Sequence, residues 1–196
     1  MRVKICGITQ PEDAQYAEQQ GADAIGVVVF SGGVSQRVVG EEKAREIFKT
    51  VGPFTTTVAV SHTKSEDELR RMIALRPHAI QISHPFRFDK VPGVRVIRVI
   101  GRGEPLPEDC DAIIVDDSHG KGREFDPSYA HDTVKRSIVP VILAGGLTPD
   151  NVGEAIQRVH PYAVDVASGV ELSPGIKDPK KVRAFIAACR RASHEK

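Results

Sequence analysis

"VPVILAGGLTPDNVGEAIQRVHPYAVDVAS", residues 139–168, sets two apolar runs, 139–145 and 162–168, on either side of a helical segment. Within that segment Val152, Ala155, Ile156 and Val159 recur at the i, i+3, i+4, i+7 spacing of one helix face. Both flanking runs are apolar on both sides of the chain, as strands are when helices cover a parallel sheet. The stretch therefore predicts strand, helix, strand, with the two strands parallel.

The same grammar extends toward the N-terminus. Runs with strand character occur at "RVKIC" (2–6), "DAIGVVV" (23–29), "TTTVAVS" (55–61), "HAIQIS" (78–83), "VRVIRVI" (94–100) and "AIIVD" (112–116), making eight with the two above. Helical spacing returns at Ala44, Ile47, Phe48 and Val51, and at Val182, Phe185, Ile186 and Cys189. A shorter version falls at Leu69, Met72 and Ile73. Thr9 before Pro11 and Glu12 reads as an N-cap with a capping box, and Thr148 before Pro149 as a second N-cap. Eight strands alternating with helices predict a (β/α)8 barrel, with residues 1–196 as one domain. An open doubly wound sheet would need fewer strands. At 196 residues the barrel must be minimal, and segments 84–93 and 101–111, short and holding Pro and Gly, predict shortened helices after strands four and five.

Composition narrows the function. Lys and Arg number 27 against 26 Asp and Glu, with no long run of one sign. That argues against nucleic acid or an anionic membrane as partner, since both require a one-signed field. No apolar run approaches the roughly 20 residues of a membrane span. Nothing in Met1-Arg2-Val3-Lys4 resembles a signal peptide. The three cysteines, Cys6, Cys110 and Cys189, are odd in number and far apart, which fits neither a disulfide framework nor a metal motif. A reducing, cytoplasmic setting is the expectation. Monomer and homodimer both stay open, since shortened crossovers can leave apolar helix faces exposed.

In such a barrel the C-terminal strand ends form one ring, and chemistry belongs there. The ring collects Cys6, the loop "FSGGVSQR" (30–37), Gln81, Asp116 with Asp117, "AGGL" (144–147) and "DVASGVE" (165–171). Glycine-containing turns after strands seven and eight can converge backbone N–H groups on a phosphate, or can simply permit tight turns. Cys6 is either a small buried hydrophobe or a base whose thiolate Lys4, one layer below on the same strand face, would favour. Asp116 is an acid at the mouth or a turn former, and strand alternation lets only one of Asp116 and Asp117 point inward. Arg37 can clamp a carboxylate through two parallel hydrogen bonds, or lie solvated. His84 and His119, the histidines expected nearest the mouth, are single and lack metal spacing, so no metal is expected.

At this point the motifs resemble a family. "KICGIT" (4–9), "GADAIGVV" (21–28), "SQR" (35–37), "GREFD" (122–126), "ILAGGLTPDNV" (142–152) and "VDVASGVELSPGIKD" (164–178) resemble phosphoribosylanthranilate isomerase, in order along nearly the whole chain. The resemblance implies an Amadori rearrangement of N-(5-phosphoribosyl)anthranilate in tryptophan biosynthesis, with no cofactor. It implies Cys6 as general base, Asp116 as general acid, and Arg37 on the anthranilate carboxylate. Gln81 and Asp165 would bind or order the substrate, and Gly145, Gly146, Ser168 and Gly169 would hold its phosphate. The chain departs from the family pattern at Gln36, at "QISH" (81–84) and at "HGKG" (119–122) with Pro127. Those departures keep two alternatives in view: an isomerase or epimerase of another sugar phosphate, and a non-catalytic phosphate-ligand sensor.

Overall fold

Eight parallel strands close on themselves in sequence order, β8 pairing with β1 through Arg2↔Ala163, Val3↔Val164, Lys4↔Asp165 and Ile5↔Val166. This TIM barrel is seen in a computed structural model, which describes residues 1–33, 35–86, 93–116 and 126–194. The order is β1 (Arg2–Cys6), α1 (Pro11–Gln19), β2 (Ala24–Val28), α2 (Glu41–Lys49), β3 (Thr56–Ser61), α3 (Glu66–Ala74), β4 (Ala79–Ile82), β5 (Arg95–Ile100) and β6 (Ala112–Val115). It continues with α4 (Pro127–Arg136), β7 (Val141–Leu143), α5 (Val152–Val159) and β8 (Ala163–Val166). A single 3-10 turn at Ser168–Val170, a small hairpin of β9 (Glu171–Ser173) and β10 (Ile176–Lys177), and α6 (Pro179–His194) complete it.

The fifth crossover is more than shortened. Residues 101–111 contain no helix, because Gly101, Gly103, Pro105 and Pro107 interrupt any helical run. Among the described residues there is none between β4 and β5 either. Arg98 takes over part of the missing helices' role. It alternates with the inward Ile97 and Val99, so it points outward, where a crossover helix would pack. Its guanidinium donates to the carbonyls of His84 and Phe86 and pairs with Asp109 at 2.9 Å, tying both helix-free crossovers to β5.

Two expected caps are placed differently. The N-cap of α1 is Gln10, with no side-chain bond, and Thr9 instead donates its hydroxyl to the Gly175 carbonyl at 2.5 Å. Helix α5 begins at Val152, not after Thr148. The Thr148 hydroxyl and the Asn151 amide oxygen accept from each other's backbone N–H in the turn ahead of it. In both cases a tertiary or loop partner outcompetes the local cap.

The shear of the barrel sorts its inward residues into tiers contributed by alternate strands. Ala24, Ala79, Ala112 and Ala163 floor the interior. Above them lie Lys4, Val58, Ile97 and Ile142, and then Gly26, Gln81, Ile114 and Asp165. The outer shell between wall and helices holds fully buried residues such as Ile5, Ile80, Ile113 and Phe185. Each contributes about 1.5–3 kcal/mol by leaving water. Among the described residues the exposed large apolar side chains lie off the helices: Phe54, Ile138 and Tyr162 precede β3, β7 and β8, while Val38 follows β2 and Leu172 and Ile176 sit in the β9–β10 hairpin. Among the described residues, no helix is long and apolar enough to cross a membrane.

Candidate active site

Alternation along β1 carries Cys6 one step above Lys4, and both side chains enter the barrel. Opposite them β2 supplies Gly26. A Cβ at that position would stand 2.8 Å from the Cys6 sulfur and 3.0 Å from the Lys4 Nζ, so any larger residue would push the thiol or the lysine tip aside. The Lys4 ammonium donates to Gln81 Oε1 at 2.9 Å and to Asp165 Oδ1 at 3.0 Å, all three groups being buried. A buried cation needs such partners, because its own desolvation is costly.

These partners set the local electrostatics. Burial lowers the Lys4 pKa, yet Asp165 and Cys6 outweigh it and raise the ammonium's pKa. Burial raises the Cys6 thiol above its ordinary value of 9.0, Lys4 offsets only part of this, and Asp165 adds to it. Lys4 therefore favours the thiolate only in part, its ammonium being held by Asp165 as well. Burial likewise raises the Asp165 carboxyl, with Lys4 opposing and Asp116 assisting.

The cavity at the C-terminal mouth brings together most of the expected residues. Cys6, Arg37, Gln81, Asp116 and Asp165 line it. So do Gly145, Gly146 and Ser168 from the turns after β7 and β8. Gly145 and Gly146 both adopt left-handed φ values, 91° and 61°, which turn the chain sharply at the cavity wall. Gly169 lies against the other turn: a Cβ there would stand 1.9 Å from the Leu147 carbonyl oxygen, so only glycine lets the two loops pack together. Asp117 and His119 lie outside the described residues.

Arg37 reaches the mouth already half engaged. Its Nε and Nη2 donate to Glu171 Oε1 and Oε2 at 2.8 and 2.7 Å, so the edge expected to clamp a ligand is taken by the protein. His84 is set against Phe86, ring edge to face at 4.6 Å, while His62 and Ser83 line the cavity. His62 was missed in the sequence although a signal existed: it continues the inward alternation of Val58 and Val60 past the end of β3. Among the described residues no group of three or more His, Cys, Asp or Glu side chains could hold a metal ion.

A thiol and a carboxyl thus face one cavity, with a cation on its rim and two glycine-containing turns on its wall. Comparison with known proteins points the same way. The family model described as N-(5'phosphoribosyl)anthranilate (PRA) isomerase matches residues 3–188. A relative from Methanoregula boonei, named N-(5'-phosphoribosyl)anthranilate isomerase, is 62% identical over 194 residues, covering 99% of each chain. Phosphoribosyl anthranilate isomerase from Thermus thermophilus superposes with a TM-score of 0.83 at 34% identity, over 97% of this chain and 99% of that one. A solved phosphoribosyl anthranilate isomerase in complex with reduced 1-(o-carboxyphenylamino)-1-deoxyribulose 5-phosphate superposes at 0.80, 32% identical, with the same coverage.

Proposed function

The chain belongs to the N-(5'-phosphoribosyl)anthranilate isomerase family, isomerases of tryptophan biosynthesis, and on that premise we propose how its own residues perform the reaction. Asp116, as the general acid, gives a proton to the furanose ring oxygen of N-(5-phosphoribosyl)anthranilate. The C1′ bond to that oxygen breaks and the nitrogen lone pair forms a Schiff base. The Cys6 thiolate then takes the proton from C2′, and the electron pair released neutralises the iminium as an enolamine. In the ketonisation the enol at C2′ gives up its O–H proton as C1′ takes one up, which returns Asp116 and Cys6 overall to their starting forms and gives 1-(2-carboxyphenylamino)-1-deoxyribulose 5-phosphate. Nothing is oxidised from outside, since C1′ is reduced as C2′ is oxidised, so the step needs no cofactor.

The observation that carries this reading is that Cys6 and Asp116, 110 positions apart in sequence, line one cavity. An acid and a base around one sugar suffice for the proton transfers, each contributing about 10²–10⁴-fold. The turns at Gly145, Gly146 and Ser168 hold the phosphate through backbone N–H groups, and Arg37 meets the anthranilate carboxylate. Anchoring the two ends removes orientational freedom before reaction. Gln81 and Asp165 order the sugar from below while they hold Lys4. The whole apparatus is carried by one barrel domain.

The test is direct: the protein should consume the fluorescent anthranilate adduct and restore growth of a tryptophan auxotroph lacking this step. Binding of the adduct without its turnover would favour a sensor instead. Turnover of another sugar phosphate alone would favour a related isomerase.

A further inference from the structure

A carboxylate and an ammonium lie directly behind Arg37, and the reaction just described uses neither. They are Glu171, which opens β9, and Lys177, which closes β10, with side chains only 4% and 2% exposed. Burying two charges is expensive, and apolar residues of similar volume would serve stability as well. Their geometry suggests what they are for. Glu171 Oε1 accepts from Arg37 Nε at 2.8 Å, from Lys177 Nζ at 2.8 Å and from the Gly175 backbone at 3.2 Å, and Oε2 accepts from Arg37 Nη2 at 2.7 Å. Lys177 also donates to the carbonyls of Cys6, at 2.5 Å, and Ala167, at 3.3 Å. One ammonium thereby ties the tip of the strand bearing the thiol, the loop beside Ser168 and the carboxylate that grips Arg37.

We infer that Glu171, braced by Lys177, is the positioning residue that aims Arg37 at the carboxylate of the substrate; this rests on the assignment of Arg37 proposed above. A free arginine at a cavity mouth would sample many rotamers. Here the Nε–Nη2 edge is fixed by the carboxylate, and the Arg37 Cδ is packed so close to Gly7 that a Cβ there would lie 2.5 Å away. The bonds to Glu171 leave the other end of the guanidinium, Nη1 with the second hydrogen of Nη2, which still matches a carboxylate through two donors. Charge explains the lysine. Arg37 with Glu171 alone would be neutral and would draw no anion, whereas Lys177 returns the trio to a net single positive charge. The glutamate stays ionised: burial opposes this, but the bonds from Arg37 and the charge of Lys177 hold its carboxyl below the ordinary range.

Calorimetry with two probes tests the assignment. One is the product, 1-(2-carboxyphenylamino)-1-deoxyribulose 5-phosphate, and the other is its counterpart without the carboxylate, 1-(phenylamino)-1-deoxyribulose 5-phosphate. Glu171→Gln should weaken product binding about tenfold, leave the second probe unchanged, and raise KM while leaving kcat within about twofold. In an Arg37→Ala background it should add nothing. Equal weakening of both probes, or a further loss on top of Arg37→Ala, would overturn the inference. Arg37→Ala that alters binding of neither probe would sink the assignment of Arg37 itself, and this inference with it. Arg37→Ala that selectively weakens the product while Glu171→Gln does not would sink only the role of Glu171. Should Glu171→Gln fail to fold with Lys177 unpaired, Glu171→Gln combined with Lys177→Met removes both charges and is read by the same criteria.

Discussion

Two arcs of the barrel wall solve the same problem by different means. From β7 through β8 and β1 to β2, each strand is followed by a helix, and the interior side carries a dense set of buried charges: Lys4, Asp165, Glu171 and Lys177. From β4 to β6 the helical cover is missing among the described residues, and one outward arginine, Arg98, holds the first crossover by the carbonyls of His84 and Phe86 and the second by the Asp109 carboxylate. The first arc must bring a thiol, a phosphate cradle and a carboxylate partner into one register. The second presents Gln81, Ser83, Val99 and Asp116 to the mouth. A wall can shed its helices and still carry site residues, provided the exposed backbone polar groups find a substitute partner.

That contrast can be broken at its strongest point first. Cys6→Ser and Asp116→Asn, one on each arc, should each lower kcat by about 10²–10⁴-fold, with circular dichroism melting curves close to the parent's. Near-normal rates in both would remove the mechanism from both arcs. Next comes the substitute for the helices. Arg98→Met should cost about 2–4 kcal/mol of stability through lost charged hydrogen bonds, read by denaturant unfolding, while kcat of the folded enzyme stays near the parent value. A large kcat loss without destabilisation would show that the second arc does more than support. The smallest effect is the pH dependence. Because burial places the Cys6 thiol above 9.0, the reactive thiolate is the minor form at neutrality and increases as pH rises. Alkylation of Cys6 by iodoacetamide in the free enzyme, which reads the thiolate alone, should therefore speed up through neutrality and past pH 9, by at most about tenfold per pH unit. A plateau beginning below pH 8 would mean that Lys4 outweighs burial after all.

The alternation of apolar runs and helical spacing made the ring of strands legible, because period 2 and period 3.6 are properties of local chain geometry. The N-caps at Thr9 and Thr148 were misread because the partners that won, Gly175 and Asn151, act through the folded loops rather than through the helix ahead. Cys6 and Asp116 could be placed at the mouth from their position at strand ends. Glu171 could not be singled out: in "ELSPGIKD" it looks like one more polar residue near a turn, and Arg37, which gives it meaning, is 134 positions away. Arg98 was hidden for a related reason. Its role exists only where an expected helix does not.

Gly26 carries a consequence for how this chemistry can change over time. The hydrogen at that position is shared ground between sulfur and ammonium, so the thiol and the lysine are not independent letters of the sequence. A lineage that enlarged residue 26 would have to move or change at least one of its two neighbours in the same stroke. Drift at the base is thus channelled through coordinated pairs, and the most permissive residue of the wall is the one that constrains its future most.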